Sequence, residues 1–288
     1  MEEIEMVPFG HLPFDYHVME KWDPNSPLTK TQQFRALVES WTRLGKTARI
    51  KYPEGDNLLP EEIPPHVPQD LMSDEDRAVD GQTIKLLWIR TWYGRKDDQA
   101  SQDAADAGYK HLRMVVFGDG ELNDVCPDIE KECIFENKEE FGPGSITMPN
   151  GDTNPDFVDG IACGTPASVP SYMITALMHR PDMLDGLSRR DWPTDWYDKP
   201  DELEKFQSIM VLVADRKACE EGWVLFLAPN HRGEILPFRV RDRAAWVYQQ
   251  IIDFMEGVHL AENTVDPDQD MEFYMRENPD GWAPDSVL

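Results

Sequence analysis

Asp266, Asp268, Asp270, Glu272 and Glu277 fall on the first, third, fifth, seventh and twelfth places of a calcium-loop template, where a hard cation takes its oxygen ligands. Met271 stands at the sixth place, where the sharp turn calls for glycine, and Asn278-Pro279 leaves no room for an exiting helix. A solvated acidic tail accounts for the same residues without an ion, and calcium-dependent binding through the tail is kept as the weaker expectation. Asp152, Asn154 and Asp156 are a fainter version, with Phe157 at the turn.

A second carboxylate pattern joins Pro200-Asp201 to Asp215-Arg216-Lys217, which directly follows an apolar run. Two carboxylates holding a divalent ion, with a lysine placing water, would make a metal-assisted hydrolase centred on Asp215. The competing expectation is that Asp215 and Lys217 are turn residues at a strand end. Nucleophilic catalysis has less to work with. No Gly-x-Ser-x-Gly elbow occurs, Ser145 follows a Gly-Pro-Gly loop, and Cys163 could be matched with His179 or His231 only by assumption. Histidine spacings for zinc, GxGxxG and Walker loops are all missing, so no cofactor and no metal is expected.

Four residues remain that could bind rather than react, together with Asp215. Arg90 and Arg239 each follow apolar residues at a strand end, where a guanidinium either pairs locally over the sheet edge or clamps an anion or carboxylate. Trp192 and Trp196, with Tyr197 beside them, lie between helices and offer an aromatic binding surface. Trp88, Trp223 and Trp246 sit inside expected elements and read as core.

The chain of 288 residues carries 55 acidic and 28 basic residues, a net charge of −27. Three stretches hold most of it: Glu54 to Asp80, Gly118 to Ala167 and Ala261 to Leu288 have 9, 12 and 8 acids against 1, 2 and 1 bases. Phosphate backbones should be repelled, which excludes nucleic acid, while a basic protein partner could dock on the acidic loops. Four cysteines without a CxxC pair, an acidic N-terminus and no sequon agree with reduced thiols and a cytoplasmic or nuclear location. Apolar runs are strand-sized, so no membrane span is expected.

The elements that must position these residues begin with a helix over Pro27 to Gly45, where Phe34, Leu37, Val38, Trp41 and Leu44 form one stripe at the helical period. A short strand over Ala48 to Tyr52 and a Pro-rich acidic connector follow. Ile84 to Trp92 and Leu112 to Phe117 read as strands covered on both faces, joined by a helical segment in a parallel crossover. Ser168 caps a helix to about His179. Ile209 to Ala214, Trp223 to Ala228 and Ile235 to Val240 then form three antiparallel strands, and a helix capped by Asp242 closes at Gly257.

From Leu86 to about Leu260 the order of signals resembles an uncharacterised family of mostly small acidic bacterial and fungal proteins, known as a domain of unknown function. Leu87-Trp88-Ile89-Arg90-Thr91, Val211-Leu212-Val213-Ala214-Asp215, Val224-Leu225-Phe226-Leu227 and Pro237-Phe238-Arg239-Val240, with Trp246 after them, carry the resemblance. No activity comes with it.

The expected architecture is an α/β body at 81–260, a layered mixed sheet ending in a three-stranded antiparallel meander with helices on its faces; α+β is the alternative. Residues 1–80 supply an N-terminal helix and connector, 118–167 a long acidic insertion and 261–288 an acidic tail. The expected role is a non-enzymatic interaction module engaging a basic protein, with the Asp215 hydrolase and the calcium tail as alternatives.

Overall fold

A computed structural model describes residues 12–52, 63–68, 71, 85–118, 133–141, 169–184, 204–236, 240–263 and 280–282. These residues gather into two compact units. One comprises the described residues up to Lys85 with those of Met173–Ser208 and His231–Gly233; the other takes Leu86–Tyr172, Ile209–Asn230 and the chain from Glu234 on.

The first unit opens with α1 (Pro13–Lys21) and α2 (Lys30–Arg49). Thr29 starts α2 with a reciprocal cap: its hydroxyl accepts from the Gln32 amide at 3.3 Å, and the Gln32 side chain accepts from the Thr29 amide at 3.0 Å. The expected stripe is buried at Phe34, Leu37, Val38 and Trp41. Gly45 takes φ 69° and breaks the helical path, as a glycine in a left-handed conformation can, but helix resumes to Arg49. The strand expected at Ala48 to Tyr52 is therefore not formed; those residues finish α2 and turn. Phe14 of α1 meets Phe34 and Trp41 edge-on at ring distances of 5.8 and 5.6 Å, and burying such rings contributes to this unit's cohesion.

The second unit is built on five strands: β1 (Leu86–Arg90), β2 (Ile134–Phe135), β3 (Met210–Ala214), β4 (Trp223–Leu227) and β5 (Val240–Arg243), in the order β2-β1-β3-β4-β5. β1 runs parallel to β2 and β3, with Arg90 opposite Ala214, whereas β3, β4 and β5 are antiparallel. Every residue of β1, β3 and β4 is buried, which is why their sequences are continuously apolar. The fold is a mixed-sheet α/β, as expected.

Its details differ in three places. Leu112 to Phe117 is the last part of α3 (Gln99–Phe117), not a strand; Ala105, Tyr109, Leu112 and Val116 form its buried stripe at helical spacing. The partner strand of the β1 crossover is β2 instead. The meander keeps its first two strands, but Ile235 only bridges Pro229, and the third strand begins at Val240 and includes Asp242, the expected helix cap. Farther along the chain lie α4 (Lys138–Phe141), α5 (Ser171–His179), α6 (Arg216–Glu221), α7 (Val247–Met255) and α8 (Leu260–Asn263).

Helix α6 sits between β3 and β4 and packs closely on α3, where a Cβ added to Gly108 would strike the Cys219 carbonyl. It ends at Gly222, φ 79°, whose missing side chain leaves space for Gly281 and Trp282. There the Gly281 amide donates to Glu221 O at 3.1 Å, its carbonyl accepts from the Ala244 amide at 3.0 Å, and Trp282 rests on His111 at 4.6 Å. Trp246, expected in the core, is 41% exposed at the start of α7. Among the described residues, no helix is long and apolar enough to cross a membrane.

Candidate functional site

Arg90 closes β1, and the chain after it must clear the sheet, so Trp92 and Tyr93 fold over the strand end. The guanidinium lies between two phenol rings, 4.2 Å from the Tyr93 centroid and 4.4 Å from that of Tyr109 on α3. Two of its nitrogens are committed: Nε donates to Trp92 O at 2.9 Å and Nη2 to Asp106. Stacking on aromatic faces and a planar fork of donors are properties of arginine that lysine lacks. An ion pair with Asp106 fixes the side chain, while Nη1 has no bonded acceptor among the described residues.

The recess beside it, about 590 Å³, is lined by Arg90, Tyr93, Tyr109, Lys110, Arg113 and Met114, with Phe117, Gly118 and Glu136 completing the wall. It is a depression open to solvent rather than an enclosed cavity. Helix α3 supplies most of this wall because Tyr109, Lys110, Arg113, Met114 and Phe117 recur on one side of it. Three cations line the recess with one carboxylate, Glu136, which Arg113 approaches at 3.5 Å, and Asp106 pairs with Arg90 beside it, so the cations still outnumber the carboxylates. In a chain of net charge −27, this is a local reversal of sign.

The two tyrosines differ in one decisive respect. Tyr109 accepts from the Trp88 indole at 3.1 Å, and burial and the Glu136 carboxylate both hold its phenol protonated far above the usual range. Tyr93 is equally buried, and burial likewise raises its pKa, yet its hydroxyl has no hydrogen-bond partner among the described residues. A buried hydroxyl without a partner costs free energy that a ligand oxygen could recover.

Asp215 is occupied structurally. Its Oδ1 caps α6 by accepting the Ala218 amide at 3.0 Å, and Arg241 grips both oxygens, Nη1 at 3.1 Å and Nη2 at 2.5 Å, while also donating to Trp223 O at 2.9 Å. Such a bidentate pair holds β5 to the β3 end. Although Ala214 and Arg90 are partners across the sheet, Asp215 and Arg90 enter separate ion pairs and do not form one site. Among the described residues, no group of three or more His, Cys, Asp or Glu is placed to hold a metal. Arg239, Trp192 and Trp196 lie outside the described residues, as do Asp201, Ser145, Cys163, Asp152 to Asp156 and the calcium-like residues 266–277.

Tyr93, Tyr109, Lys110, Arg113 and Glu136 were not singled out in the sequence. Tyr109 and Arg113 are one turn apart, a signal that appears only once the helix is extended through Phe117. No protein-family model matches the chain, and neither a curated protein nor a solved structure matches it.

Proposed function

We propose that the protein is a binding module that takes a small organic anion, a carboxylate on an apolar or aromatic body, in the Arg90 recess. The observation that carries this reading is the buried, unpartnered Tyr93 hydroxyl beside a guanidinium held rigid between two rings. One carboxylate could accept from Tyr93 and Arg90 together, Lys110 would add charge at the rim, and Phe117 and Met114 would cover the body of the ligand. No nucleophile and base are paired among the lining residues, which favours binding over turnover.

Benzoate, propionate and inorganic phosphate are suitable probes. Benzoate should raise the melting midpoint of the full chain in a saturable way, and Tyr93→Phe and Lys110→Gln should each weaken that rise. No rise with any of the three anions up to about 10 mM would overturn the reading.

The placement of the acidic stretches favours a second reading, docking of a basic protein on the loops and tail. A lysine-rich peptide should then bind at low salt and dissociate as ionic strength rises, because exposed charges are screened beyond about 8 Å at physiological salt. Binding that ignores salt, or is absent at low salt, would refute it.

A further inference from the structure

The first unit contains an unbroken line of hydrogen-bonding groups drawn from three places in the chain. Ser40 Oγ on α2 is 2.8 Å from His17 Nε2 on α1; His17 Nδ1 is 2.9 Å from the Tyr52 hydroxyl; and that hydroxyl donates to Glu20 Oε2 at 2.8 Å. The imidazole is buried, wedged against Trp41 and Tyr52 at ring distances of 5.4 Å each.

Counting protons fixes the polarity of this line. Glu20 is a carboxylate that can only accept: hydrogen bonds from Lys21 and Tyr52 lower its pKa to about 2. The single Tyr52 proton therefore goes to Glu20, and the phenol oxygen must accept from His17 Nδ1–H. Burial lowers the His17 pKa to about 4; of the charges facing the ring, Glu20 opposes that shift while Lys21 and Lys51 add to it. At neutral pH the ring is therefore neutral and Nε2 presents a lone pair. Ser40 is the group facing that lone pair. Its hydroxyl also lies 2.8 Å from Leu37 O, the ordinary back-bond of a helical serine, so its proton is shared between a carbonyl and a base. A hydroxyl on an imidazole whose far nitrogen is oriented by a third group is the arrangement that activates a nucleophile.

We propose that Ser40 is an acyl-accepting nucleophile with His17 as its general base, positioned by Tyr52 and Glu20, and that its substrates are activated esters such as aryl esters. In the acylation step Ser40 Oγ bonds to the ester carbonyl carbon and its proton passes to His17 Nε2. The ester C–O bond then breaks, and His17 returns the proton to the departing phenolate, leaving acyl-Ser40 and a phenol. Water then attacks the acyl carbon as its proton passes to the same nitrogen; the bond from that carbon to Ser40 Oγ breaks, and His17 returns the proton to Oγ, releasing the acid.

The restriction to activated esters follows from the helix. Amides around Ser40 are committed within α2, so oxyanion stabilisation falls to a cation, and exposed Arg43 stands three residues after it on the same side of the helix. Arg43 is itself shared with Glu39 at 3.7 Å, which leaves it a modest contributor. A weakly basic leaving group needs the least such help. This assignment uses residues of the first unit alone and is independent of the anion recess in the second.

A fluorophosphonate probe tests it, since attack by Ser40 forms a P–O bond and expels fluoride. The full chain should gain one adduct that peptide mapping places on Ser40, and Ser40→Ala should gain none there. His17→Gln should slow labelling about 10-fold, less than the roughly 100-fold of a base matched to neutral pH because burial lowers the His17 pKa to about 4. Because that variant removes a buried ring, Glu20→Gln on the half-exposed end of the line provides a second arm and should slow labelling several-fold with the melting profile retained. In the parent protein the rate should be flat from pH 6 to 8, whereas a base with an ordinary imidazole pKa of about 6.5 would impose a step there. No adduct on Ser40, or labelling of Ser40 that both substitutions leave unchanged, would overturn the assignment.

Discussion

Tyr93 and Tyr109 stack on the same guanidinium, and exchanging either for phenylalanine keeps the ring while deleting one oxygen. The two substitutions should nevertheless change stability in opposite directions. At Tyr93 the deleted hydroxyl is buried without a partner, so Tyr93→Phe relieves a desolvation cost of about 1–3 kcal/mol, less the small packing loss, and should stabilise the free protein by about 1 kcal/mol. At Tyr109 the same deletion removes the acceptor of the fully buried Trp88 indole and the contact to Glu136, and strands an N–H in the core. Tyr109→Phe should therefore cost about 1–3 kcal/mol. Urea unfolding followed by tryptophan fluorescence would separate them as a rise and a fall in midpoint at unchanged slope. If Tyr93→Phe destabilises by more than about 0.5 kcal/mol, its hydroxyl has a partner in the free protein and the argument for a ligand oxygen at that place fails. The stabilised variant should also be the one that loses benzoate, a trade of stability for function that a merely structural tyrosine would not show.

Asp215→Ala should cost about 3–5 kcal/mol in the same assay, because it removes the α6 cap and leaves the part-buried Arg241 without its carboxylate, while Arg241→Met, which keeps the cap and leaves the Asp215 carboxylate still accepting the Ala218 amide, should cost less. Gly222→Ala should cost roughly 1–3 kcal/mol, since φ is 79° and the added carbon would meet Gly281 and Trp282; wild-type stability would show that the tail contact is dispensable. Acid should weaken the protein over a window set by two buried imidazoles, His17 and His231. Burial lowers the pKa of both, that of His17 from 6.5 to about 4, so below pH 6.5 the unfolded chain holds more protons and stability falls as pH falls. His17 alone should account for up to roughly 3 kcal/mol of the loss at pH 4, and His17→Gln should remove that share while the His231 share persists; a parent melting midpoint that is level from pH 6.5 to 4 would contradict it.

Strand and helix interiors were legible where one physical demand dominated. Leu86 to Ile89 and Val211 to Val213 are continuous apolar runs because both sheet faces are covered, and Phe34 to Trp41 show the period of one buried stripe. Errors arose where local preference and tertiary context disagreed. Met114-Val115-Val116-Phe117 has strand-forming residues, yet it continues the stripe of Tyr109 and Leu112 and remains helical. Val240-Arg241-Asp242-Arg243 is strongly charged for a strand, and the Arg241 grip on Asp215 keeps it in the sheet. Arg90 could be picked from its place at a strand end. Its aromatic sandwich could not, because residues 93 and 109 become neighbours only when α3 returns along β1. The Ser40 line is less visible still: positions 17, 20, 40 and 52 make no motif, and only the pairing of α1 with α2 aligns them.

Gly222 and Gly281 each lack the carbon that their partner would strike: a Cβ on Gly222 would lie 2.6 Å from the Gly281 carbonyl carbon, and one on Gly281 would lie 2.5 Å from Glu221 O. The Ala244 amide is shared across this seam, donating to Gly222 O at 2.8 Å and to Gly281 O at 3.0 Å. Such reciprocal close approach couples the two positions. A side chain at either one opens the same seam, so replacing both glycines should cost less than the sum of the two single replacements.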